Sequence, residues 1–237
     1  MESTGDASLA RQPVVRDGLA AILLRLESKK HPREVLYETF LQPTDDLRNH
    51  AYLTYDNALV CFALRALADF LDRPELAQRA EETREAVYRH CVKERDGRRF
   101  FAWSVDLEGR YDIYDEPPGS LQLLPFYGFC GMDDPVWKNT VAMIRDKDYP
   151  LSFAGHPIAE IGCKHAPHPW VLSICNSLLS GNADSGLTHL RLTRMDNGIA
   201  CESVNEDTGI CETGEAFATC AGFLSYALYC ACFSQEC

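Results

Sequence analysis

Apolar residues recur along this chain at intervals of three and four, the spacing that lines one face of an α-helix. Between Val14 and Leu26 they fall at Val15, Leu19, Ile22, Leu23 and Leu26; between Asn57 and Leu71, at Val60, Phe62, Ala63, Leu67 and Phe70. Arg73-Pro74 interrupts the second stripe. A proline suits the first turn of a new helix, because the amide hydrogen it lacks has no partner there. That third helix is expected to run to about Cys91, with Leu76, Ala80, Ala86 and Val87 inward and a Glu/Arg-rich outer face. Further helices should begin near Pro135, Pro169, Ala183 and Gly214, each preceded by turn residues. Arg98 to Val105 breaks the rhythm: Phe100, Phe101, Trp103 and Val105, followed by Gly109, read as a short strand and turn. The pattern predicts about eight helices with one or two short β-hairpins. The fold class is therefore all-α, with helices paired around a common core as in an (α/α) toroid or part of one.

Three connections are long for simple links: Asp106–Gly119, Asp148–Pro169 and Met195–Gly214. They carry acids and aromatics, and loops of that kind are where sites sit. We expect them to gather at one end of the helices.

Composition narrows the picture. The chain has 237 residues, 46% hydrophobic and 24% charged, which suits a folded domain and not a disordered one. With no Ser/Gly/Pro-rich linker and no short repeat, we expect a polar tail and lead-in helix over residues 1–42 and one toroid portion over 43–237. The net charge of −12 opposes binding to nucleic acid or anionic membrane and suits a neutral substrate. Residues 1–13 lack a basic segment with an apolar core, and Ala216 to Phe233 is too short and mixed to span a bilayer. Both features point to the cytoplasm. Eleven cysteines without a single CxxC spacing read as free thiols that pack as small hydrophobes.

Three separated stretches carry a family likeness. The first is Pro43-Thr44-Asp45-Asp46, then Tyr52-Leu53 and Asn57, leading into a helix with Leu64-Arg65 and Leu67-Ala68. The second contains Asp115-Glu116, Ser120-Leu121 and Leu124-Pro125-Phe126-Tyr127-Gly128. The third runs through Asn139-Thr140, Asp146 to Pro150, Phe153, Gly155, Ile161-Gly162, His165 and Trp170 to Gly198, Glu202-Ser203, Asn205, Asp207 and Phe217-Ala218. In order and spacing they resemble the C-terminal half of glycoside hydrolase family 125, the metal-independent exo-α-mannosidases. The resemblance implies an incomplete (α/α) toroid of the six-hairpin glycosidase type and hydrolysis of α-1,6-linked mannose with inversion. It also implies a carbohydrate substrate, no cofactor and no metal. There are departures: Cys201 stands where the family has His, the acid pair is Asp-Glu instead of Asp-Asp, and Gly214-Glu215 lie where the family has an arginine. The family's N-terminal half, with its Trp-Leu-Arg-Asp-Ser segment, has no counterpart. That implies a fragment or minimised relative, one half of a split enzyme needing a partner, or a homo-oligomer. The competing reading is a non-catalytic carbohydrate-binding or scaffold remnant.

Inverting hydrolysis needs a protonated carboxyl group to assist the leaving oxygen and a carboxylate to activate water, about 6.5–9.5 Å apart. The resemblance implies that the acid lies at Asp115-Glu116, with Asp115 preferred and Glu116 left open, and that Glu202 is the base. Asp115 and Glu116 sit among Tyr111, Tyr114 and a Pro117-Pro118-Gly119 turn, and adjacent like charges discourage joint ionisation. The resemblance implies that Asp45 and Asp46 bind sugar hydroxyls, with capping of the helix or turn through Thr44 and Asp45 as the alternative; His165 is expected to contact substrate. Asn57, Trp170, Ser203 and Asn205 are carried over as substrate-binding from the resemblance. Trp103, Tyr127, Trp137 and Trp170 read as core or as a stacking platform. Glu212 and Glu215 read as helix-start acids. Cys163-Lys164-His165-Ala166-Pro167-His168 is the metal-like run, but no second Cys/His pair follows it, so no metal is expected. No Gly-rich phosphate loop or GxSxG serine elbow is present.

Overall fold

A computed structural model of the protein describes residues 8–9 and 12–233. Its helices are α1 (Pro13–Glu27), α2 (Thr54–Leu71), α3 (Pro74–His90), α4 (Pro135–Ile144), α5 (Val171–Leu179), α6 (Ala183–Leu192) and α7 (Ala218–Phe233). Prolines open α1, α3 and α4, as the sequence pattern requires. Asp134 caps α4 by accepting from the amides of Val136 and Trp137. Consecutive helices pack in pairs, α2 on α3 and α5 on α6, with α7 laid against α5.

The short strands are β1 (Tyr52–Leu53), β2 (Val92–Arg95), β3 (Arg98–Phe101), β4 (Ser104–Val105), β5 (Tyr111–Asp112), β6 (Ser203–Val204) and β7 (Cys211–Thr213). They form an antiparallel sheet in the order β1-β4-β5 and the hairpins β2–β3 and β6–β7, more strand than the one or two hairpins expected. The single strand read over Arg98–Val105 is two, divided at Ala102-Trp103. The Ala102 amide donates to Cys91 and the Trp103 amide to Asp112, so the chain changes sheets there. Trp103 is fully buried, and its indole N–H donates to Gln42 Oε1 at 2.8 Å, which holds the crossover.

Helix α3 keeps its expected face, whereas three other helices depart from theirs. In α3 the expected Leu76, Ala80, Ala86 and Val87 are all buried. In α2 the inward face is Thr54, Asn57, Ala58, Cys61, Leu64 and Ala68, while Phe62 stands exposed. The cause is Asn57, whose buried amide side chain accepts from Tyr37 N and donates to Tyr37 O and Leu53 O, turning a polar-edged face inward. In α1, Leu23 and Leu26 pack on the core but Ile22 points outward. The C-terminal helix, expected to be buried, buries only Cys220, Leu224, Ala227 and Cys230.

Two cores result. One gathers Leu53, Leu64, Phe101, Trp103, Leu121 and Phe129; the other gathers Ile158, Trp170, Ile174, Cys201, Val204 and Cys220; Leu179 and Phe223 pack against both. The second is braced by a polar knot. Fully buried Glu160 accepts from the hydroxyls of Ser173 (2.6 Å) and Ser177 (2.9 Å), with His189 Nδ1 at 2.7 Å and Arg145 Nη2 at 3.2 Å. It thereby ties α4, α5 and α6 together. The described cysteines are all free thiols, most of them buried. Among the described residues, no helix is long and apolar enough to cross a membrane.

Candidate active site

The three long loops and the turn at 43–46 do meet. At Glu116 the backbone is extended (φ −145°, ψ 145°), so Asp115 and Glu116 project to opposite sides. Asp115 faces the core. Its Oδ1 accepts from Leu121 N and its Oδ2 from the Ser120 hydroxyl, both at 2.7 Å, and it is fully buried. Burial pushes its carboxyl up to about 8, against the pull of those two hydrogen bonds.

Glu116 turns the other way, toward the 43–46 turn. Its Oε1 accepts from Thr44 N at 3.0 Å and its Oε2 from the Thr44 hydroxyl at 2.9 Å. Burial raises this carboxyl above its ordinary value, with the Thr44 hydrogen bonds opposing. Gly119 allows the close approach: a Cβ there would lie 2.3 Å from Pro43 Cγ.

From Thr44 the contacts continue. Its hydroxyl is 3.3 Å from Asp46 Oδ2, and the same oxygen lies 2.9 Å from His165 Nδ1. Hydrogen bonding from His165 holds the Asp46 carboxyl below its usual value, with the Lys164 charge adding to the effect. The other ring nitrogen of His165 is 3.9 Å from Glu202 Oε1. Glu202 is anchored from behind, where the Thr213 hydroxyl donates to Oε2 at 2.7 Å. Glu116 and Glu202 thus stand at the two ends of one polar file, and the buried thiol of Cys163 is within electrostatic reach of both. Two clefts in the fold, one lined by Leu23, Leu64 and Arg79 and one by Arg98, Phe100 and Tyr149, include neither carboxylate.

The remaining expected residues fall into two groups. Asp45 is exposed at the turn, with a left-handed backbone (φ 63°). Trp170 is buried beneath the file, its indole N–H on Ala166 O and its ring edge-on to His165 at 5.5 Å. Asn57, Ser203 and Asn205 are occupied within the protein. Asn57 clamps Tyr37; Ser203 is fully buried against Thr213; Asn205 accepts from the amides of Asp207 and Thr208 and donates to Glu212. Trp103 and Trp137 are core residues. Within the metal-like run, His165 turns to Asp46 and His168 to Glu206 (3.1 Å), so the two rings do not converge. Among the described residues, the group whose ligand atoms do approach one another is His156, Glu206 and Asp207, within 4.8 Å.

The sequence names Thr44 and Lys164 only within their motifs, with no part in the chemistry, and does not single out Thr213. Lys164 Nζ lies 4.5 Å over the Tyr114 ring at the edge of the file. Nothing periodic marks them; only the pairing of loops far apart in the chain gives them neighbours.

A family model described as metal-independent α-mannosidase, glycoside hydrolase family 125, matches residues 26–227. No curated protein matches the chain. A solved metal-independent α-mannosidase from Streptococcus pneumoniae, in a non-productive complex with α-1,6-mannobiose, aligns with TM-score 0.70 and 20% identity, covering 86% of this chain and 53% of that one. The chain therefore spans about half the length of that structure and shares its (α/α) toroid fold over that half.

Proposed function

The chain belongs to glycoside hydrolase family 125, the metal-independent α-mannosidases, and from that premise we propose that it is an exo-acting, inverting α-mannosidase with Glu116 as acid and Glu202 as base. The carrying observation is the file Glu116–Thr44–Asp46–His165–Glu202, in which side-chain contacts link a fully buried carboxyl, raised by that burial, to a partly exposed carboxylate. Of the adjacent acids, Glu116 is favoured because it turns to Thr44, from which the contacts lead through Asp46 and His165 to Glu202, whereas Asp115 turns to the Ser120-Leu121 turn.

In this scheme the Glu116 proton passes to the glycosidic oxygen as the bond to the anomeric carbon breaks. Glu202 takes a proton from the water that attacks the opposite face, and the product emerges with inverted configuration. Asp46 and His165, between the two acids, are placed to hold sugar hydroxyls, with Trp170 beneath them. The relative's complex with α-1,6-mannobiose supports α-1,6-linked mannose as substrate. The chain spans about half of that relative, so completion of the pocket by residues outside this sequence belongs to this proposal.

The test is turnover of aryl α-glycosides and α-1,6-mannobiose, with the first-formed anomer read by proton NMR. Glu116→Gln and Glu202→Gln should each lower kcat by several orders of magnitude while melting normally. A Glu202→Gln chain as active as wild type would remove the mechanism. Mannoside binding without turnover would favour the binding-remnant reading.

A further inference from the structure

The hairpin that carries Glu202 holds two hydroxyls in line behind it. Ser203 and Thr213 are cross-strand partners, and the register slips between Ser203 and Val204. A bulge of this kind re-aims side chains. Here Ser203 Oγ lies 2.6 Å from Thr213 Oγ1, which lies 2.7 Å from Glu202 Oε2. A carboxylate has no proton to give, so the Thr213 hydroxyl donates to Oε2 and Ser203 donates to Thr213. The backbone is pinned as well: Glu202 N donates to Thr213 O at 3.2 Å and Gly214 O at 3.1 Å. Gly214 sits at φ +62°, and a Cβ there would come within 2.5 Å of Glu202 Cβ, so only glycine lets the hairpin close on this side chain. Oε1 is left on the side of His165.

We propose that Thr213 is the positioning residue of Glu202, with Ser203 acting through it and not on the sugar. Thr213 holds Oε2 and so leaves Oε1 as the oxygen that receives the proton of water. This rests on Glu202 being the base. The family likeness places Glu202-Ser203 but says nothing of a hydroxyl pair across the hairpin.

Thr213→Val keeps the shape of the side chain and removes its hydroxyl. We expect kcat to fall about 10- to 100-fold, the effect of losing one hydrogen bond to a charged group. KM should stay within about twofold, because the substrate's own contacts are untouched. Thr213→Ser should restore most of the rate, which a general packing defect would not allow. Glu202→Gln is the reference. If it is inactive while Thr213→Val keeps wild-type kcat, the positioning role is overturned and the proposed mechanism stands; if Glu202→Gln is active, the mechanism itself fails. Crystal structures give a readout free of turnover. The Glu202 carboxylate should leave its place in Thr213→Val and hold it in Thr213→Ser, and a carboxylate unmoved in Thr213→Val overturns the inference.

Discussion

Asp115 and Glu116 are neighbours with opposite fates, because an extended backbone sends adjacent side chains to opposite sides. Asp115 caps the turn at Ser120-Leu121 from inside the core, and its burial has a consequence for stability. In the folded chain its carboxyl is pushed up to about 8, above the ordinary aspartate value of 3.8. Between those two values the folded chain keeps a proton that the unfolded chain has lost. The stability from this proton is complete below about pH 4 and erodes as pH rises toward about 8. Asn can replace both hydrogen bonds, accepting from Leu121 N and donating to Ser120. Asp115→Asn should therefore flatten this part of the pH dependence, as urea unfolding at about pH 5 and about pH 8 would show. It should also keep far more activity than Glu116→Gln, and the opposite ranking would return the acid role to Asp115.

At the scale of elements, α3 followed its stripe because one side of it meets α2 and the other meets water. Helix α2 has no such freedom, since its N-terminal turns are gripped by the strand-like segment around Tyr37. The grip is Asn57, carried over from the family likeness as a sugar ligand but spent here on three backbone groups. Asn57→Ala would leave buried amide and carbonyl groups unpaired, and we expect a loss of about 2–3 kcal/mol in urea unfolding. KM for a mannoside should not change. A raised KM at unchanged stability would restore Asn57 to the binding site.

Across the whole molecule, two cores are joined by shared residues and the second is locked by Glu160. This carboxylate collects ligands from three helices, and its loop continues into the segment that presents His165. Removing it leaves Arg145, whose side chain is 17% exposed, without its ion-pair partner. Glu160→Ala should cost on the order of 3 kcal/mol, discounted for the partial exposure of Arg145. It should also loosen His165, visible as faster amide exchange across residues 151–168. Loss of stability with unchanged exchange there would separate the knot from the site.

The sequence by itself determined which segments are helical, where proline starts them, that the described cysteines are free thiols, and that three acid-bearing loops hold the candidate chemistry. Those features are local: helical spacing, a missing amide hydrogen and loop length act within a dozen residues. Tertiary structure decided what depends on approach between distant segments. The inward face of α2 depends on Tyr37, and the division of Arg98–Val105 into two strands depends on Asp112 and Cys91. The opposite directions taken by Asp115 and Glu116 depend on Ser120 and on Thr44, seventy-two positions from Glu116. Thr213 gains its meaning only when the hairpin closes on Glu202. A hydrogen bond across such a separation leaves no period in the sequence; it exists only once the chain has folded and the two groups have given up water for each other.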